Sequence, residues 1–422
     1  MSTRAYTANH YVPQWYQSRF LPAEGEAKFR YLDLKPESFR DAKGVVRTKT
    51  NLRRWGTRKC FQEDDLYTTQ FGSWRSNDIE KFFFGRVDSK GAKAIEWFAA
   101  FDHLNFRVSS EAFHGLLNYM SVQKLRTPKG LRYIASLAKT GDRSMALMAM
   151  QQFQNLHCSI WAETVWALLD ANETNTKFII SDHPVTVYNR DCFPGSRWCE
   201  HFSDPEIWLV GTHTLFPLTP TRVLVMTNLA WTRDPYQKAT RERPNPFPLR
   251  PARPFDFRSI QTRRELTETE VNQINFIIKK RAYRYIAAPV EEWLYPETKI
   301  PSEHWRKLDD RYLLMPDPRA ITFSGEIIIG HKSGPADIYD EYGHRPGQPG
   351  YKNGAKSERE WRTHLAFRGE YARLFGPRRR GRTLQFNRLD KEEDDPGFHS
   401  YHLKLEEYIP GHVKPRRGRR AS

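Results

Sequence analysis

Apolar residues recur at three- and four-residue steps from Asn77 onward, as Ile79, Phe82, Phe83 and Val87, then Ala94, Ile95, Phe98 and Ala99. That spacing lays one apolar stripe along a helix. It continues through Ala112, Leu116, Leu117 and Met120, then Leu147, Met148, Phe153, Leu156, Ile160, Trp161, Val165 and Leu168, so helices with a buried stripe are predicted from about 77 to 172. The pattern then changes. Lys177–Ile180 and Val185–Tyr188 are short β-branched and aromatic runs either side of Ser181-Asp182-His183-Pro184, which reads as strand, turn, strand. Trp208–Val210 and Arg222–Met226 predict further strands, mostly antiparallel, up to about 227. Residues 233–258 are rich in proline and arginine and predict an extended surface loop. Thr267-Glu268-Thr269-Glu270 matches a capping box, and Val271, Ile274, Ile278, Ala282 and Tyr285 follow on one face, predicting a helix over about 268–287.

Before residue 75 the chain is aromatic and basic with little periodicity, which predicts short strands and loops. After Pro289 the character shifts again, to a strand at Glu326–Ile329, a Gly/Pro-rich loop over 343–354, and a helix around Trp361, Leu365 and Phe367–Ala372. The fold class expected is α+β: a helix-rich core with a small, mostly antiparallel sheet over 1–290, and a basic C-terminal extension over 291–422.

Charge alters this picture. Lys and Arg number 67 against 50 Asp and Glu, a formal net charge of +17, which favours polyanionic partners. No run approaches the roughly 20 consecutive apolar residues of a membrane helix. The N-terminal residues lack an apolar signal core, so the cytoplasm is the expected compartment. Cys60, Cys158, Cys192 and Cys199 have no paired spacing and read as free thiols.

Several segments appear together in a recognisable order: His10-Tyr11-Val12-Pro13-Gln14 with Arg19-Phe20, Gln123 with Arg126-Thr127-Pro128, Trp166, Phe178–Val185, Phe216-Pro217-Leu218, and Asn272–Tyr285. Over about residues 1 to 290 the chain resembles domain-of-unknown-function family 4238, whose members begin with a His-Tyr-Val-Pro-Gln type motif and carry a later Ser-Asp-x-Pro motif. The resemblance implies no reaction, ligand or catalytic residue.

Candidate chemistry therefore rests on the residues. His10, held beside a strand-like Tyr11-Val12-Pro13, is a natural acid or base near neutral pH. Asp182 could orient His10, bind a metal or take a proton; equally, it could close an Asx-turn ahead of Pro184. Arg126, three residues from Gln123 at a helix end, could clamp a phosphate, cap a C-terminus or pair with Asp182. Gln14, Gln123, Ser181 and His183 are the neighbouring candidates for substrate contact. No GxSxG, GxxxxGK[ST] or GxGxxG string is present, so a nucleophile elbow, ATP hydrolysis and dinucleotide redox chemistry fall away. No metal-ligand spacing backs a metal, and no cofactor is assigned. Two basic runs, Arg378, Arg379, Arg380 and Arg382, then Arg416, Arg417, Arg419 and Arg420, have the composition of segments that track phosphate backbones, RNA or DNA. The leading expectation is a nucleic-acid-acting protein, a phosphodiester-cleaving toxin or anti-phage effector with His10, Asp182 and Arg126 in one cleft. The alternative is a non-enzymatic module that meets RNA, DNA or an acidic protein through its basic surface.

Overall fold

The computed structural model describes residues 8–405 apart from 23, 42, 103–106, 108, 201–202, 252–253, 324–325 and 385–395, together with residue 407. The chain begins with β1 (Ala8–His10), a short helix α1 (Gln14–Ser18), β2 (Phe29–Asp33), the hairpin β3 (Ser38–Arg40) and β4 (Val46–Thr48), β5 (Leu52–Trp55), β6 (Gln62–Asp64), and the hairpin β7 (Thr69–Phe71) and β8 (Trp74–Ser76). A π-helical turn, Ile79–Phe84, leads into α2 (Gly85–Ala99), α3 (Ser110–Arg126), α4 (Pro128–Leu137), α5 (Arg143–Gln152) and α6 (Cys158–Ala162). Then come β9 (Thr164–Asp170), β10 (Ile180–Ser181), β11 (Thr186–Tyr188), β12 (His213–Thr219), β13 (Arg222–Asn228), α7 (Leu229–Arg233), β14 (Gln261–Glu265), α8 (Glu268–Arg281) and β15 (Tyr285–Ala288). The hairpin β16 (Ile327–His331) and β17 (Gly334–Tyr339), α9 (Gly354–Phe375) and α10 (Pro396–Leu405) follow. The architecture is α+β.

Two sheets organise it. The larger has the order β11-β12-β13-β9-β14, antiparallel except for β14 beside β9, and the other has the order β10-β15-β2-β5, antiparallel throughout. Alternate residues of the larger sheet enter two different cores. Trp166, Leu168, Leu224, Met226, Phe216 and Leu218 pack with α2 and α3, whereas Ala167, Leu169, Val223, Val225 and Leu215 pack with α8. This explains one departure from the sequence reading. Val165 and Leu168, expected on a helix, lie on β9, whose seven residues are all buried; a strand covered on both faces has no polar alternation to mark it. The helix expected over 268–287 ends at Arg281, because Ala282 turns extended and Tyr285 already belongs to β15. Its start follows the motif: Thr267 and Glu270 form both halves of the capping box.

α2 and α3 meet closely at Gly91, where a Cβ would sit 2.4 Å from the Tyr119 ring. The residues after 290 pack against the core rather than standing apart from it. Leu294, Trp305, Leu308, Leu313 and Leu314 fill the α8 side of the core, and Trp305 Nε1 donates to the Asn189 carbonyl at 2.9 Å. Phe367 and Tyr371 of α9 pack on Val210, Trp231 and Met315. The sequence after Pro289 changes composition without leaving the core.

Candidate functional site

The end of α3 and the start of α4 form a sharp corner. Thr127 closes one helix and caps the next, its Oγ1 accepting from Gly130 N–H at 3.1 Å, while Pro128 takes the first helical position, where its missing N–H costs nothing. Gly130 is needed because a Cβ there would lie 2.1 Å from the Lys124 carbonyl oxygen. The corner sets Lys124 and Lys129 against one carboxylate, Asp204. Lys124 Nζ donates to Asp204 Oδ2 at 2.5 Å and Lys129 Nζ donates to Oδ1, with a further bond to the Arg281 carbonyl at 2.9 Å.

His183 enters the same cluster from the turn after β10. The Thr127 hydroxyl lies 2.8 Å from its Nδ1 and Asp204 Oδ2 lies 3.0 Å from its Nε2. Lys124 Nζ lies 3.2 Å from the same Nε2, so the neutral ring donates there to Asp204 or accepts there from Lys124 according to its tautomer. Burial, reinforced by Lys124, pushes the His183 pKa down to about 3. Burial also works to raise that of Asp204, but Lys124 and Lys129 override it and hold the carboxyl well below its usual range. Lys129 is lowered by burial against the opposing pull of Asp204. Around this cluster lies a partly enclosed cavity of about 350 Å³, walled by Leu125, Tyr133, Ile207 and Tyr283, with Arg132, Glu200, Ser203, Glu206 and His157 on its lining. Its volume suits one small ligand or nucleotide unit. Burial raises the pKa of Glu206, whose Oε2 accepts from the Tyr133 hydroxyl at 3.4 Å.

The residues singled out from sequence divide. His183 lines the cavity, and Ser181 supports it by accepting from the His183 N–H at 3.2 Å. Asp182 stands behind the wall, where its carboxylate accepts from the backbone N–H groups of Tyr283 at 2.8 Å, Arg284 at 2.6 Å and Tyr285 at 2.8 Å. It splints β15 and so positions Tyr283. Burial, only partly offset by these donors, pushes its pKa up to about 6.

His10, Arg126 and Asp182 do not assemble into the expected constellation. His10 sits on β1 with Nε2 3.3 Å from the Arg58 carbonyl. Arg126 pairs with Asp88 at 2.9 Å and with Gln123 Oε1 at 2.7 Å. Gln123 in turn donates to the Tyr11 carbonyl at 2.8 Å, and Gln14 Oε1 accepts from Thr57 at 3.4 Å. The His-Tyr-Val-Pro-Gln segment therefore ties the N-terminal strands to α3, a packing role.

The first basic run is also absorbed by the fold. Arg380 binds Glu270 of the capping box, Arg382 exchanges two backbone bonds of 2.9 Å with Thr262, and Arg379 is buried with its guanidinium over Phe398. The Arg378 side chain is exposed. Arg416, Arg417, Arg419 and Arg420 lie outside the described residues. Lys124, Lys129 and Asp204 were missed by the sequence reading. The two lysines carry a signal in retrospect, since they flank Arg126-Thr127-Pro128; Asp204 carries none. Among the described residues no three His, Cys, Asp or Glu side chains converge as a metal site, and no helix is long and apolar enough to cross a membrane.

Fold and site together define an α+β protein with a ligand-sized chamber at a helix corner. A family model described as "Protein of unknown function (DUF4238)" matches residues 8–152 and 139–290, and the chain belongs to that family. No curated protein and no solved structure matches it.

Proposed function

We propose that this protein binds nucleic acid in the cytoplasm and receives a phosphate-bearing terminus or single nucleotide in the cavity. The observation that carries the reading is the sharing of Asp204 between two buried ammonium groups. Lys124, Lys129 and Arg132 face Asp204, Glu200 and Glu206 on the lining, and the two ammoniums that share one carboxylate are the groups placed to contact an anionic ligand. An anionic ligand group binds at these two ammoniums, with Arg132 also on the lining. The apolar wall of Leu125, Ile207 and Tyr133 accepts a base or sugar, and Glu206 offers an acceptor to an amino group on it. The net charge of +17 draws polyanions to the surface.

Phosphodiester cleavage is the catalytic form of the same proposal. The depressed ammonium of Lys129 favours it, replacing His10 as the proton-transfer group. Oligonucleotides bearing a 5′-phosphate are expected to bind at least tenfold more tightly than their 5′-hydroxyl counterparts, and Lys129→Met is expected to erase the difference. Equal affinity of both strands for the parent protein would refute the cavity as the phosphate site, and gel analysis of the same mixtures reads cleavage directly.

A further inference from the structure

Beside the cavity the chain leaves the body of the protein as a ribbon. Lys35 donates to the Tyr283 carbonyl and lies 4.8 Å over the Tyr283 ring, and both that ring and its other cationic neighbour, Arg132, line the cavity. Three residues further on, β3 and β4 form a two-stranded sheet of their own in which every residue is exposed. Polar contacts brace it at both ends. At the foot, Glu37 is held by Lys49 at 2.7 Å and by Arg284 at 3.4 Å. At the tip, the Asp41 carboxylate accepts from the N–H groups of Lys43 at 2.9 Å and Val45 at 3.0 Å, and from the Arg47 guanidinium at 2.6 Å. An isolated hairpin is marginal in water, so these contacts do what a core does for the other strands.

We propose that this ribbon is an arm that enters the major groove of double-stranded DNA and presents the end of the duplex to the cavity. The inference rests on the nucleic-acid reading proposed above and adds the form of the substrate. Direct cross-strand partners share a face, so Phe39 lies with Arg47 on one side of the ribbon and Arg40 with Val46 on the other. Each face thus carries one arginine and one exposed apolar side chain, and Val45 adds a third apolar group at the tip. A partner must therefore offer anionic and apolar groups on both sides of the ribbon. A major groove does so: phosphates rim both of its walls, thymine methyl groups stud its floor, and its width of about 12 Å admits two β-strands. The charge is of the matching sign. Glu37 and Asp41 are engaged by Lys49 and Arg47, and among the described residues no carboxylate pairs with Arg40 or Lys43. Five strand residues reach about 17 Å, so the groove is met within about five base pairs of an end held at the cavity mouth. The major groove of A-form RNA is too deep and narrow to take such an arm.

The test is fluorescence anisotropy of the full chain with labelled DNA and RNA duplexes of about 15 base pairs, longer than the arm's reach, with and without a 5′-phosphate, over a series of salt concentrations. The DNA duplex is expected to bind at least tenfold more tightly than the RNA duplex. Arg40→Gln combined with Lys43→Gln is expected to weaken DNA binding about tenfold or more and to reduce the slope of log affinity against log salt by roughly two. Val45→Ser combined with Val46→Ser is expected to weaken binding about tenfold and to leave that slope unchanged. All four side chains are exposed, so these variants keep the fold. If the RNA duplex binds as tightly as the DNA, or if neither pair of substitutions weakens DNA binding, the arm is wrong, even where the intact protein still prefers a 5′-phosphate. If both pairs weaken DNA binding but the 5′-phosphate makes no difference, the arm stands and the cavity reading fails. Sedimentation with phosphatidylserine vesicles that the same substitutions abolish, in a protein that binds no duplex, would make the ribbon a membrane contact and overturn the proposal.

Discussion

At the level of single residues, the site turns on an asymmetry. Two buried ammoniums share Asp204, so removing the carboxylate leaves two unpaired charges, whereas removing one lysine leaves a balanced pair. Asp204→Asn is therefore expected to cost about 3–5 kcal/mol in urea unfolding, and Lys129→Met clearly less. Equal costs would mean that the three groups are not coupled as a unit. A second expectation concerns acid. His157 and His183 are both held near 3 by burial first and by Lys124 second, so the folded state keeps them neutral while the unfolded chain takes up a proton near 6.5. The unfolded state then binds more protons, and stability is lost as pH falls below about 6.5. Each ring contributes a slope of about 1.4 kcal/mol per pH unit, so His157→Gln is expected to reduce the slope of unfolding free energy between about pH 6 and pH 4 by that amount. An unchanged slope would show that His157 charges freely in the folded protein. His183 was legible as a site residue because it stands in a polar turn between two apolar runs. Asp204 was not, since an isolated aspartate before a proline has no local partner and acquires its role only when two lysines 75 to 80 positions away fold against it.

Among the elements, the corner between α3 and α4 does most to shape the cavity. Gly130→Ala would thrust a Cβ to within 2.1 Å of the Lys124 carbonyl and 2.6 Å of the Leu125 carbonyl, both backbone atoms that cannot swing aside. It is expected to destabilise by more than about 4 kcal/mol and to abolish ligand binding, while Gly141→Ala, which meets nothing within 4 Å, leaves both unchanged. A stable Gly130→Ala protein that still binds would mean that the corner can open without moving Lys124. Elements with local punctuation were readable: the Thr267–Glu270 capping box starts α8, and Thr127-Pro128 ends α3 and begins α4. β9 was not, because its two-sided burial is decided by α2 and α3 on one face and α8 on the other, contacts that come from far along the chain. The two basic runs looked alike in sequence. The first is drawn into the fold at Glu270, which has two guanidinium partners, Arg264 at 3.0 Å and Arg380.

For the whole molecule, the decisive matter is whether the family-matched region stands without the rest. The match ends at 290, yet the packing does not. Beyond that point Leu294, Trp305, Leu308, Leu313 and Leu314 cover α8 and the larger sheet, and Tyr188 O–H donates to the Trp305 carbonyl at 3.0 Å. Further on, the Asp317–Arg319 pair is buried, and Asp317 also accepts from the Arg380 N–H at 3.0 Å. Burying a large apolar side chain contributes about 1.5–3 kcal/mol, so losing five of them removes roughly as much as the 5–15 kcal/mol or so that stabilises a folded protein. A chain truncated after 290 is expected to be insoluble or to lack a cooperative thermal transition. One truncated after 384 retains Asp317, Arg319, α9 and Arg380, and is expected to unfold cooperatively. Limited proteolysis of the full chain should accordingly spare the region around 290. A protease-resistant fragment ending near 290 that melts cooperatively would show that the later residues are an appendage after all, and that Trp305 and its neighbours merely cover a surface that is stable without them.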